Sequence, residues 1–299
     1  MTPLEAAPAA LGGGRRVWIK REDVHELGAF KWRGALPTLE RYRSDGKTGV
    51  VTASTGNHGA ATAWAARRLG LRAVVFAPRG SSEAKLDLIA RQGGEIRLVG
   101  QDLDEAKEEA RAFAEAEGLP FFEDGDEPAQ YEGYGGIARE ILEQCPEAPG
   151  AVVVPVGNGA LAAGLGLVLS ERSPKTPLVA VAAKEAPVMA RSYQARRPVP
   201  CDRMATFADG LAVRVAIPRA VAALDRVVSR FVLVSERQIA RAVGAYAQAG
   251  IRCEGAAAAA LAALPQITEP DPIVLIVTGR NIDETLWRRA VEQPEAFPE

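Results

Sequence analysis

Several residue types are scarce in this 299-residue chain, and each scarcity excludes something. Cysteine stands only at Cys145, Cys201 and Cys253, far apart and with no Cys-x-x-Cys pair. That argues against a disulfide framework or a zinc site and fits a reducing cytoplasm. Neither sign of charge dominates: 36 basic residues face 38 acidic ones, the net charge is -2, and neither half carries a long basic run, so nothing invites nucleic acid. A secretory signal is not expected from the N-terminal residues, because Arg15 and Arg16 follow the apolar part instead of preceding it. One stretch, Ala151 to Ser170, is free of charge for long enough to suggest a membrane span. Pro155, Gly157, Asn158 and Gly159 would break a spanning helix there, so it reads as a buried strand, a glycine loop and a helix. Two nucleotide motifs are also absent: no Gly-x-Gly-x-x-Gly opens a helix with an acid downstream, and no loop ends in Gly-Lys-Ser/Thr. Asparagine occurs only at Asn57, Asn158 and Asn281, and each lies in a glycine-containing loop.

What is present is a chain 47% hydrophobic, long enough for one large or two fused α/β lobes. Short β-branched runs alternate with helix-patterned ones, the signature of parallel sheets. Strands are predicted over 50–53, 73–77, 96–99, 152–156, 178–182, 231–234 and 273–278. Helices are predicted over 58–69, 82–92, 102–117, 137–142, 161–169, 235–249 and 255–264. The acidic loop Glu123 to Glu127 reads as a solvated connection in preference to a metal site. Arg191 to Asp209, rich in Arg, Pro and Ser, reads as an irregular surface connection. The resulting fold class is two open α/β lobes with mostly parallel sheets.

In such sheets ligands bind beyond the carboxyl ends of the strands. Three loops have that placement: Ser54-Thr55-Gly56-Asn57-His58-Gly59, Val156-Gly157-Asn158-Gly159-Ala160-Leu161 and Thr278-Gly279-Arg280-Asn281. The first offers hydroxyls, an amide and backbone N–H groups at a helix start, and the second presents little side-chain bulk. Both suit a carboxylate or phosphate. Lysine is scarce among the basic residues, which singles out Lys31 in Gly28-Ala29-Phe30-Lys31-Trp32-Arg33-Gly34-Ala35. Apolar and aromatic neighbours would desolvate its amine, and such a lysine can join an aldehyde as a Schiff base; the bland alternative is a lysine snorkelling from a helix.

Lys20-Arg21-Glu22-Asp23 followed by Gly-Ala-Phe-Lys-Trp-Arg-Gly-Ala resembles the lysine region of fold type II pyridoxal-phosphate enzymes, the tryptophan synthase β-like group. The resemblance runs from Thr2-Pro3-Leu4 to Thr278-Gly279-Arg280-Asn281-Ile282-Asp283 with the motifs in family order. Ala208-Asp209-Gly210-Leu211-Ala212-Val213 and Glu254-Gly255-Ala256 are most similar to the serine/threonine dehydratase branch. It implies a large cofactor-binding domain over 1–45 and 132–299, a small substrate-side domain over 46–131, and the cofactor between them. By this match Lys31 would hold pyridoxal 5'-phosphate and act as base on the substrate Cα proton, with Phe30 packed on the cofactor and Asn57 bonded to its ring hydroxyl. Ser54, Thr55, Gly56 and His58 would clasp the substrate carboxylate, Gly157, Asn158, Gly159, Ala160 and Leu161 would cradle the phosphate, and Thr278 would bond the pyridine nitrogen. Glu254 would complete the cofactor site.

The implied activity is an ammonia-lyase that removes a β-hydroxyl from a small amino acid such as threonine or serine, giving a 2-oxo acid and ammonia. Departures from the family pattern keep alternatives open. Gly157-Asn158-Gly159-Ala160 stands where a run of glycines is usual and is similar to a Gly-Asn pair of threonine synthases, so a β- or γ-replacement synthase is one alternative. Thr55 stands where serine racemase has its second-face serine, so racemisation is another and Thr55 a second catalytic candidate. A non-catalytic homologue is a third. Around Lys184 and Glu185 the pattern leaves no pair of carboxylates, so no divalent cation is expected. A cytoplasmic homodimer or homotetramer with no membrane or nucleic-acid partner is implied. With nothing after Glu299, end-product feedback is not expected. Tyr131, Tyr134 and the Arg191 to Asp209 connection are the candidates for reading the substrate side chain.

Overall fold

Strands form where β-branched residues run together and both faces can be buried. The computed structural model describes residues 1–201 and 204–299, and these hold nine strands. They are β1 Leu4–Ala6, β2 Val17–Arg21, β3 Gly49–Ala53, β4 Arg72–Ala77, β5 Glu95–Leu98, β6 Ala151–Pro155, β7 Leu178–Ala183, β8 Arg230–Val234 and β9 Ile273–Val277. Asp202 and Arg203, within the Arg191 to Asp209 connection, lie outside the described residues.

The chain divides into two units, Met1–Ala29 with Tyr134–Glu299 and Phe30–Gly133. The larger unit holds a six-stranded sheet in the order β1-β2-β9-β6-β7-β8. Every pairing in it is parallel except β1 on β2, with Val17 opposite Ile273 and Val152 opposite Leu178. β6, β7 and β9 are buried along their whole length, as strands covered on both faces must be, and they are correspondingly continuous apolar runs. Val153, Val181, Leu275 and Val277 share one core cluster with Ala256, Ala257, Ala258, Ala259 and Ala260 of the helix Gly255–Ala262. That helix is apolar all round and buried all round. The helix Glu236–Gln248 begins with a full capping box: the Ser235 hydroxyl accepts from the Gln238 N–H, and the Gln238 side chain accepts from the Ser235 N–H.

The smaller unit holds the parallel sheet β3-β4-β5. Val51, Val74 and Phe76 form its core with Ala110 and Ala114 of the helix Leu103–Glu117. Asp102 starts that helix by accepting from the Asp104 and Glu105 N–H groups, and Gly118 at φ 64° ends it. Beyond it the chain returns to β3: Val51 N–H donates to Pro120, and Phe122 N–H donates to Val51.

The fold is the expected α/β class with mostly parallel sheets, and the charge-free stretch is a strand, a glycine loop and the helix Ala160–Arg172. No helix among the described residues is long and apolar enough to cross a membrane. Two readings need correction. The Arg191 to Asp209 segment is not wholly irregular, because the helix Val188–Ala195 runs into it: Val188, Met189, Ala190 and Ser192 are buried and outweigh the polar composition. The helix expected over 137–142 spans Pro128–Gln144, and glycines masked its first half. Those glycines permit close packing, since a Cβ on Gly133 would lie 1.8 Å from the Arg33 carbonyl oxygen.

Candidate active site

The smaller unit gathers Phe30, Lys31, Ser54, Thr55, Gly56, Asn57 and His58. β3 ends at Ala53, and the turn after it leads into the helix Asn57–Leu69. The Ser54 hydroxyl accepts from the Gly56 N–H at 3.2 Å, which shapes the turn. Gly59 holds the helix against the sheet: a Cβ there would lie 3.0 Å from Ile89 and 3.1 Å from Val75. Lys31 caps the helix Trp32–Ser44, and its Nζ lies 5.1 Å from the Phe30 ring centroid. Its amine is not simply surrounded by apolar groups. Nζ donates to Asp124 Oδ2 at 2.6 Å.

Asp124 therefore belongs to the site, and the acidic loop is more than a solvated connection. Its other oxygen accepts from Gln130 Nε2 at 3.1 Å and lies 3.5 Å from His58 Nδ1. Burial opposes ionisation of Asp124. The Lys31 charge, the neighbouring His58 and the hydrogen bonds from Lys31 and Gln130 outweigh it, and hold the carboxyl well below the usual carboxylate range. The His58 ring is buried, with Nε2 3.1 Å from the Thr52 hydroxyl and 3.3 Å from the Phe122 carbonyl oxygen. Burial pushes this imidazole below its ordinary value against the pull of Asp124, which leaves it neutral near pH 7. Sequence reasoning missed Asp124 and Gln130. No local pattern marks them, and only the pairing of Phe122 with Val51 carries their loop to the end of β3.

The larger unit gathers Gly157 to Leu161, Glu254 and Thr278. Gly159, at φ 93°, turns the chain from β6 into the helix Ala160–Arg172. Gly157 is packed against backbone: a Cβ there would sit 2.1 Å from the Gly210 carbonyl oxygen. The Asn158 side-chain oxygen accepts from the Ala160 N–H at 3.1 Å, so one N–H of this loop already has a partner. Glu254 N–H donates to the Gly279 carbonyl at 3.0 Å, and Glu254 Oε1 lies where a Cβ on Gly279 would be 2.7 Å away. Asn281 donates to the Leu27 carbonyl at 2.7 Å, tying the loop after β9 to the segment before Lys31.

Thr278 follows β9 and is 3% exposed. Its hydroxyl has no hydrogen-bond partner among the described residues. Unmet hydroxyls in a core are costly, so this one points to a ligand acceptor. Thr278→Val is accordingly expected to leave the cofactor-free chain as stable or raise its stability by about 1 kcal/mol. Denaturant unfolding checks this, and a loss larger than that shows the hydroxyl to be bonded already.

Residues 1–279 match the family described as pyridoxal-phosphate dependent enzyme. The chain belongs to the pyridoxal-phosphate dependent enzymes. It is 32% identical over 289 residues to the biosynthetic L-threonine dehydratase of Pasteurella multocida, covering 94% of this chain and 56% of that protein. It is 30% identical to the L-threonine ammonia-lyase of Thermotoga maritima, covering 94% of this chain and 71% of that one. The chain spans about half the length of the curated relatives it matches. Among solved structures it is similar to the processed form of threonine deaminase isoform 2 from Solanum lycopersicum, with a TM-score of 0.91, 31% identity and coverage of 99% of this chain and 88% of that one. Maize serine racemase superposes with a TM-score of 0.90 at 27% identity, covering 98% and 92%. These place this pyridoxal-phosphate enzyme in the serine/threonine dehydratase branch of fold type II. The residues present fit the cofactor: a primary amine at Lys31, a glycine loop with no side chain at Gly157, and an unpartnered hydroxyl at Thr278.

Proposed function

We propose that the protein is an ammonia-lyase that removes the β-hydroxyl of a small amino acid, threonine or serine, to give a 2-oxo acid and ammonia. The observation that carries this reading is the buried, unpartnered Thr278 hydroxyl. A neutral hydroxyl on the pyridine nitrogen makes the ring a moderate electron sink, which favours prompt loss of a β-leaving group over transamination. The likeness to named threonine dehydratases supports the same class.

Bound pyridoxal phosphate supplies an aldehyde that joins to amines and a conjugated ring that takes up the electron pair left at Cα. The chain supplies the rest. Lys31 holds the aldehyde through Nζ and, once released, takes the Cα proton. Phe30 packs beside it. Asn57 orients the ring through the 3-hydroxyl, and Glu254 closes the site beside Gly279. Backbone N–H groups of Gly157, Asn158, Gly159 and Leu161 take the phosphate, joined by Ala160 when the Asn158 side chain turns away. Ser54, Thr55, Gly56 and His58 hold the substrate carboxylate. His58 does so through its backbone, since its ring faces Thr52 and Asp124. Thr55 also stands as a candidate acid on the second face of Cα. In this reading the larger unit supplies the phosphate cradle, Glu254 and Thr278, and the smaller unit supplies Lys31, Phe30, Asn57 and the groups that hold the substrate carboxylate. We extend it to a homodimer or homotetramer in a reducing cytoplasm, which light scattering of the purified protein and fractionation of its cells check.

The test is ammonia and 2-oxo acid release from a panel of serine, threonine, 3-hydroxyaspartate, phenylserine and diaminopropionate. Release from serine or threonine without any added nucleophile is expected. Release that waits for a thiol or O-phosphohomoserine contradicts the lyase and favours a synthase, and inversion of serine without ammonia favours a racemase.

A further inference from the structure

The Lys31–Asp124 pair is held by a scaffold that nothing in the cofactor chemistry above requires. Each neighbour of Asp124 in its loop is tied down within the smaller unit. Glu123 accepts from Lys107 at 2.8 Å and Arg111 at 2.6 Å. Gly125 N–H donates to Gln130 Oε1 at 2.8 Å, and its carbonyl accepts from the Tyr131 hydroxyl at 2.7 Å. Glu127 accepts from the Tyr42 hydroxyl at 2.6 Å. The loop is thus braced on three helices, and the carboxylate it presents at 2.6 Å from Nζ is a fixed feature.

The Lys31 and Asp124 side chains are 15% and 25% exposed, so their attraction is much less screened than that of a surface pair. Lys31, Gln130 and His58 face Asp124, and burial holds the His58 imidazole below its ordinary value. Glu123 adds a nearby negative charge that its own Lys107 and Arg111 partners offset. Lys31 is thus a charged partner in direct contact with Asp124, at 2.6 Å, and the braced carboxylate keeps its hold on the lysine when the lysine changes partners.

We propose that Asp124 is the positioning residue of Lys31, the station that accepts the lysine's hydrogen bond whenever the substrate amine has replaced it on the cofactor. The inference rests on the lyase reading. That replacement would form a carbon–nitrogen bond to the substrate amine, move one proton from the substrate nitrogen to Nζ, and break the carbon–nitrogen bond to Lys31, which would leave as a neutral amine. The Cα–H bond then breaks, a new N–H bond forms on Nζ, and the electron pair of the C–H bond stays with the substrate and cofactor. The resulting ammonium is stabilised at Asp124, which holds the nitrogen near Cα through the rest of the turnover. The same fixed negative charge repels a substrate whose β-substituent is itself an anion.

The experiment uses the full-length holoprotein and the variants Asp124→Asn and Asp124→Glu. It reads the absorbance of the lysine-bound cofactor against pH, together with kcat and KM for whichever of serine or threonine is turned over. The Asn variant removes an anion beside the protonated lysine–cofactor nitrogen, so the pH at which that form is lost falls by about 1–2 units. With its lysine unanchored, kcat falls about tenfold to a hundredfold while KM changes little. The Glu variant keeps the charge and therefore the wild-type midpoint, and it recovers most of kcat. An Asn variant that lowers only the thermal unfolding midpoint, or a Glu variant that shifts the spectral midpoint as Asn does, overturns the proposal. A wild-type protein that binds no cofactor overturns the lyase reading instead, so the two failures are told apart.

Discussion

Replacing Lys31 by alanine is expected to reduce ammonia release by about ten-thousandfold or more, because in the proposed lyase one side chain serves as both the covalent anchor and the base. Alanine also leaves Asp124 without its cation. Stranding a half-buried carboxylate costs about 1–2 kcal/mol after allowance for its partial exposure, so a loss of activity alone is ambiguous. Lys31→Arg resolves the ambiguity. A guanidinium keeps the charge opposite Asp124 but remains protonated and cannot join an aldehyde. The Arg variant is expected to unfold near the wild-type temperature, to remain colourless with added pyridoxal phosphate, and to be inactive. An active Arg variant contradicts the assignment.

Gly157→Ala carries the second largest expected effect. The added methyl carbon would lie 2.1 Å from the Gly210 carbonyl oxygen and 3.3 Å from its carbonyl carbon. Both are backbone atoms, so no side chain can swing aside, and the loop between β6 and its helix must move. Overpacking of this kind costs about 1–3 kcal/mol. Taken from the binding of the phosphate, that is about a tenfold to hundredfold weaker cofactor affinity. Titration of the cofactor-free protein with pyridoxal phosphate measures it. Gly80→Ala is the control, since a Cβ at Gly80 meets nothing within 4 Å, and its affinity is expected to match the wild type.

The parts of the fold that composition reveals are those where composition alone decides the structure. β6 and β9 are unbroken apolar runs rich in Val and Ile, as strands buried on both faces are. β1 and β2 are not legible in the same way. Leu4–Ala6 is three residues with exposed positions, and Val17–Arg21 ends in two charged residues, Lys20 and Arg21, of which Lys20 is matched from afar. Lys20 is wholly buried, and its amine donates to the Thr2 carbonyl and to Glu140, 120 residues away. Such a pairing exists only once the chain is folded. It also separates the two lysines of the motif, since Lys20 is committed to a structural ion pair.

The site divides along the same line. Gly157, Asn158, Thr278 and Asn57 are legible as candidates because they stand just after strands, where parallel sheets bind ligands. Asp124 is not, because an acidic residue in an acidic loop reads as solvated until the sheet brings Phe122 beside Val51. Asn158 shows a further limit: the sequence places it in the phosphate cradle, and only the structure shows its side-chain oxygen accepting from the Ala160 N–H.

The central claim is that pyridoxal phosphate is carried on Lys31. Reduction of the purified holoprotein with borohydride, followed by peptide mass spectrometry, tests it most directly. The expected result is a single phosphopyridoxyl group on the peptide containing Phe30-Lys31-Trp32. Attachment to Lys20 or another lysine, or no attachment at all, would contradict it.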